Sequence, residues 1–132
     1  MIVVDTSVWI DYFRGIVAPH TDLLDRELSK SRIIIGDLIM TELLQGFSVE
    51  KNFQIAMQLM ENLEYRDIVG RDMAIAAAQN YRILRRKGIT IRKTIDVLIA
   101  TFCIENGAQL IHNDRDFDPM EQLLGLRVLR DA

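Results

Sequence analysis

The chain has 132 residues, 49% of them apolar, and a formal net charge of −3; a length of this order fits one domain, 1–132, able to bury roughly two thirds of its unfolded surface. A near-balanced charge neither demands nor forbids a nucleic-acid partner, because local patches outweigh totals. Apolar runs such as VLIATFCI (97–104) fall far short of the roughly 20 residues that span a bilayer, Asp5 brings charge too early for a signal peptide, and the lone Cys103 has no internal disulfide partner, so a reduced, cytoplasmic setting away from membranes is expected.

No segment is rich in proline, glycine or serine, and no internal repeat is present. IVVD at the start and SRIIIGD (31–37) are β-branched runs that predict buried parallel strands. Between them, 7–14 and 21–30 carry helical spacing, the second with Leu23, Leu24 and Leu28 on one face. Asp37 is expected to cap a helix with Ile39, Met40, Leu43, Leu44 and Phe47 inward, followed by a helix over 52–62 with Ile55, Leu59 and Met60 inward. A weaker strand is placed at 64–69. A long helix then runs over 72–87 to Gly88, and Thr94 opens a helix over 95–105 closed by Gly107. AQLIH (108–112) and LRVLR (126–130) complete the strands. Strands alternating with helices predict an α/β fold: three α/β/α layers around a central, mainly parallel sheet of about five strands.

In such sheets ligands bind outside the carboxyl ends of the strands. Asp5 ends the first strand, Glu42 lies early in the helix after the second, Asp96 stands in the first turn of its helix, and Asp114 follows the strand at 109–112. Each has a purely structural explanation. Asp5, Thr6 and Ser7 are good caps, Asp96 suits the positive end of its helix, Glu42 could lie on a solvated face, and Asp114, Asp116 and Asp118 could form a solvated turn opening a short helix before Pro119. Together the acids are harder to explain so, because unit charges about 4 Å apart repel by roughly 4 kcal/mol at an effective dielectric of 20. A divalent cation offsets that repulsion. Carboxylates suit Mg²⁺ or Mn²⁺, whereas the two histidines, His20 and His112, have no zinc-like spacing.

The same residues resemble a known family. MIVVDTSVWIDYFRG, MTELLQG around Glu42, TIDVLIA around Asp96 and NDRDF at 113–117 are similar to the successive acidic motifs of PIN-domain nucleases, and most similar to VapC toxins of bacterial toxin–antitoxin pairs. The resemblance covers essentially the whole chain in the right order. It implies that Asp5, Glu42, Asp96 and Asp114 form a metal-binding catalytic site, with Asp116 as an accessory acid close enough to exchange roles with Asp114. Ser7 would organise the first motif. It further implies endoribonuclease activity with Mg²⁺ or Mn²⁺ on transfer or ribosomal RNA, a homodimer, and inhibition by a VapB-type antitoxin. Family members often carry threonine where this chain has His112, which reads as the end of a strand.

Hydrolysis through one or two cations needs no side-chain nucleophile. For the RNA backbone, Arg85 and Arg86 before Gly88, and Arg92 and Lys93 before the Asp96 helix, offer positive charge, although basic residues ending a helix also suit its dipole. Trp9, Tyr12 and Phe13 have the spacing of core or partner packing rather than base stacking, and their helix with 21–28 could line an antitoxin groove. A phosphorylated receiver domain is disfavoured because the first strand ends in DTS and LRVLR has no lysine; a DxD phosphatase is disfavoured because Ser7 stands at the second acid's place. The remaining alternative is a non-catalytic PIN-like module that binds RNA or protein.

Overall fold

The computed structural model describes residues 1–131. Five strands, β1 (Ile2–Val4), β2 (Ile33–Gly36), β3 (Glu64–Arg66), β4 (Gln109–Ile111) and β5 (Arg127–Val128), form one sheet in the order β3-β2-β1-β4-β5, every pairing parallel. The helices are α1 (Thr6–Phe13), α2 (Pro19–Leu28), α3 (Asp37–Leu44), α4 (Glu50–Glu61), α5 (Arg71–Arg86), α6 (Thr94–Asn106) and α7 (Asp118–Leu124), with a 3-10 turn at Arg115–Phe117.

The order of strands explains the layers. From β1 the chain steps outward to β2 and β3, then crosses back past β1 to β4 and β5. Parallel crossovers are right-handed, so reversing the direction of travel moves the helices to the opposite face. Accordingly α1 packs on α2 and α3, and α3 on α4, while α5 packs on α6 and α7. The expected three-layer α/β/α arrangement with about five parallel strands is what the chain adopts.

Sheets covered on both faces need strands apolar on both sides. Ile2, Val3, Val4, Ile33, Ile34, Ile35, Leu110 and Ile111 are all buried. Helix α6 is apolar all round, with Val97, Ile99, Ala100, Phe102 and Cys103 buried, as expected of a helix enclosed by others. Burial pushes the Cys103 thiol up to about 12, so it behaves as a small apolar core group. Two glycines in the left-handed region end α5 and α6: Gly88 lets Ile89 N–H reach Leu84 O, and Gly107 lets Ala108 N–H reach Cys103 O, both at 2.9 Å.

Several local expectations are corrected. The β2 ladder continues through Gly36, which becomes the cap residue of α3; Asp37 falls inside the helix, and its Oδ1 accepts from Leu38 N–H and, at 2.8 Å, from Ile68 N–H. Lys93, not Thr94, is the cap position of α6. Ile55 is 48% exposed because α4 turns Ala56 and Met60 to the core instead. The third strand covers only Glu64–Arg66 and the fifth only Arg127–Val128. Pro119 lies within the first turn of α7, where its missing N–H costs nothing.

Candidate metal centre

The chain reverses its direction across the sheet between β1 and β4, and the crevice at such a switch lies beyond the carboxyl ends of those strands. Asp5 and Asp114 both stand there. Asp5 continues the ladder, its N–H donating to Ile111 O at 2.9 Å, and then caps α1. Its Oδ2 accepts from Ser7 N–H (3.1 Å) and Ser7 Oγ–H (2.6 Å), so the side chain is fixed by the first turn of the helix. Asp114 caps the 3-10 turn, its Oδ1 accepting from Asp116 N–H at 2.9 Å.

Asp96 arrives from the other helical layer. Thr94, which opens α6, is exposed, but Asp96 stands on the inward side of that first turn and is only 3% exposed. Its Oδ2 is buried and, among the described residues, has no hydrogen-bond partner. Burial, reinforced by the charges of Asp5, Asp114 and Glu42 and opposed by Lys93, pushes its carboxyl up to about 7. Glu42 is half-buried on α3, and its Oε1 accepts from Thr6 Oγ–H at 2.8 Å.

Carboxylate oxygens of Asp96, Asp114 and Asp116 come within 4.8 Å of one another. Asp116 thus joins Asp96 and Asp114, while Asp5 and Glu42 do not fall within that cluster. Cations already answer this charge: Lys93 Nζ lies 3.5 Å from Asp114 Oδ2 and 3.9 Å from Asp96 Oδ2, and Arg92 Nη2 lies 3.2 Å from Asp116 Oδ1. The Lys93 ammonium is in turn held above its ordinary pKa, first by Asp96 and also by Asp114 and Asp5. An all-oxygen donor set, an unpartnered buried carboxylate oxygen and a lysine drawn toward the acids together fit a hard divalent cation.

Arg92 and Lys93 therefore face the acids, while Arg85 and Arg86 stay exposed at the end of α5; Arg85 Cζ lies 5.9 Å from the centre of the Tyr81 ring. Trp9 is fully buried, stacked near Phe13, which rules out base stacking by that ring. Sequence reasoning missed the polar frame. Thr6 holds Glu42, and Asn113 N–H donates to Ser7 Oγ at 3.1 Å. The signal for the first was the DTS run itself, where a hydroxyl sits on each residue after the acid; nothing in the sequence joins residue 113 to residue 7.

The PIN domain family profile matches residues 2–122. VapC ribonuclease Mb1587 of Mycobacterium bovis and Ribonuclease VapC11 of Mycobacterium tuberculosis are each 33% identical over 129 residues, covering 96% of this chain and 96% of theirs. Among solved structures, a chain from VapBC2 of Rickettsia felis bound to a DNA fragment of its promoter matches with a TM-score of 0.77 at 19% identity, over 98% of both chains. A chain from DNA-bound VapBC of Salmonella typhimurium matches with a TM-score of 0.73 at 21% identity, over 97% of this chain and 96% of that one. At those identities the structural likeness establishes the fold.

Proposed function

The chain belongs to the PIN-domain family, on its VapC branch, and on that premise we propose that it is a metal-dependent endoribonuclease acting in the cytoplasm as the toxin of a VapBC-type toxin–antitoxin pair. The observation that carries the reading is the buried Asp96 carboxylate, whose Oδ2 makes no hydrogen bond among the described residues, gathered with Asp114 and Asp116 at the switch point of the sheet.

Asp5, Asp96 and Asp114 would hold Mg²⁺, or Mn²⁺ in its place, with Glu42 holding the cation or orienting the attacking water, and Asp116 able to stand in for Asp114. The cation supplies the positive charge that makes water acidic enough to attack at neutral pH and that stabilises charge growing on the phosphate. The chain's own groups do the rest. Ser7 fixes the Asp5 carboxylate over the first turn of α1, and Thr6 holds the Glu42 carboxylate. Lys93 and Arg92 balance the acids in the metal-free protein; on release they become donors for the RNA backbone at the lip of the site, with Arg85 and Arg86 extending the positive track. The substrate class is transfer or ribosomal RNA.

Two apolar grooves support the partner assignments. One, of ≈ 290 Å³, has an apolar floor of Ile10, Phe13, Phe47 and Val49 rimmed by Arg14, Asn52 and Glu42, and would take an amphipathic segment of a VapB-type antitoxin. It lies between α1, α3 and the start of α4. The other, of ≈ 430 Å³, runs between α5 and α6 past Val69, Ala77, Tyr81, Val97 and Leu98, and would be covered by a second copy in a homodimer. Among the described residues no helix is long and apolar enough to cross a membrane.

Incubating the purified protein with end-labelled transfer and ribosomal RNAs, with Mg²⁺, Mn²⁺ or EDTA, tests the reading. Cutting that EDTA stops is expected. A folded, antitoxin-free protein that cuts none of them would instead be a binding module.

A further inference from the structure

His112 stands at the acidic site, yet metal binding by the four acids gives it no task. We propose that His112 is a positioning residue for Asp114, holding that acid's backbone through one ring nitrogen without touching cation or RNA. Its consequence for catalysis rests on the metal-centre reading above; the contact itself does not.

The link from β4 to the 3-10 turn has no neighbouring strand to bind its amides. Three are taken by side chains instead. Asn113 N–H donates to Ser7 Oγ at 3.1 Å, Asp114 N–H to His112 Nδ1 at 3.1 Å, and Asp116 N–H to Asp114 Oδ1 at 2.9 Å. Accepting an N–H requires an Nδ1 without hydrogen, so the ring is the neutral tautomer carrying its hydrogen on Nε2. That Nε2 is buried and makes no hydrogen bond among the described residues.

Such a group is rare in folded proteins and calls for a reason. Here the ring is held against Phe117, with centroids 4.9 Å apart at 41°, and Phe117 is itself fully buried. The ring is thus wedged between the end of β4 and the 3-10 turn, with its one used nitrogen facing the amide of Asp114. The packing sets the ring, the ring sets the amide, and the amide sets where the Asp114 carboxylate emerges beside Asp96 and Lys93. Outer groups that orient a metal ligand in this way commonly change metal affinity 10- to 100-fold when removed.

Three variants separate the acceptor from the bulk of the ring. His112→Phe keeps an aromatic ring against Phe117 and removes the acceptor; His112→Asn places an oxygen close to where Nδ1 stands; His112→Gln carries its oxygen one bond too far. Amide hydrogen exchange at Asp114, followed by NMR on the metal-free protein, is expected to speed up roughly tenfold in His112→Phe and His112→Gln and to stay near the parent rate in His112→Asn. Mn²⁺ affinity measured by calorimetry without RNA is expected to fall roughly 10- to 100-fold in the first two and to recover in the asparagine variant. Should the phenylalanine variant unfold, the contrast between asparagine and glutamine decides. Equal Asp114 exchange in the parent and in the variants lacking the acceptor, or an asparagine variant as loose as the glutamine one, would overturn the proposal. A parent that binds no Mn²⁺ but shows the expected exchange pattern would leave His112 as the positioning residue of Asp114 and remove the metal-centre reading.

Discussion

Replacing Asp96 with asparagine is expected to stabilise the metal-free protein while destroying its activity. Asp96 is enclosed, its Oδ2 lacks a partner, and its carboxyl is pushed from the ordinary 3.8 up to about 7, first by burial and then by the charges of Asp5, Asp114 and Glu42. The native state therefore holds a proton that the unfolded chain has already released, and stability falls as pH rises between those two values. The full cost is present above about pH 7 and absent below about pH 4. A displacement from 3.8 to about 7, with the opposing charge of Lys93 already included, corresponds to roughly 4 kcal/mol, which water reaching the open side of the site reduces to roughly 2 to 4 kcal/mol. With about 3.6 °C per kcal/mol for a chain of this size, Asp96→Asn should melt roughly 7 to 14 °C above the parent at pH 8. Calorimetry in EDTA across pH 4 to 8 is the assay. The difference should shrink steadily toward pH 4. A variant no more stable than the parent at pH 8, or one whose advantage is the same at both ends, would refute the electrostatic account of the site.

Adding Mg²⁺ at about 100 times its dissociation constant should stabilise the parent by about 2.7 kcal/mol and leave Asp96→Asn unmoved, read from the same melts. Asp5→Asn and Asp114→Asn should each lower RNA cleavage by roughly 10²- to 10³-fold or more at unchanged fold, by analogy with losing one electrostatic group from an active site; initial rates and circular dichroism check both halves. Arg92→Ala and Lys93→Ala should each flatten the salt dependence of RNA binding by about one phosphate contact without weakening Mn²⁺ binding, measured by fluorescence anisotropy against salt. Thr6→Val removes the partner of Glu42 from a residue only 7% exposed, and should cost roughly 1 to 3 kcal/mol in stability with cleavage lowered roughly 10- to 100-fold.

Strand and helix identity was legible because the β-branched runs IVV and III are too short and too apolar for anything but enclosed strands, and because the gathering of acids follows from where parallel strands end. Helix starts were less so. Asp37 and Thr94 have the right side chains for caps, but the cap falls where the backbone is still extended, and the ladder at β2 keeps Gly36 in that conformation. Ile55 fitted a helical stripe, yet a stripe does not say which side of α4 meets the sheet. Asp96 could be placed at the acidic edge; its burial could not, since that depends on which side of the first turn of α6 faces the interior. The pairing of Lys93 and Arg92 with the acids, and the contacts from Ser7 to Asn113 and from His112 to Asp114, depend on distances between chain segments that no spacing encodes.

The most direct test is to grow crystals with Mn²⁺ and locate the ion from its anomalous scattering. A peak is expected that is bounded by carboxylate oxygens of Asp5, Asp96 and Asp114, or of Asp116 in its place, within reach of Glu42, with Lys93 displaced from its present position between Asp96 and Asp114. A site without such a peak at saturating Mn²⁺, with Lys93 still seated on the acids, or a peak held by other residues, would contradict it.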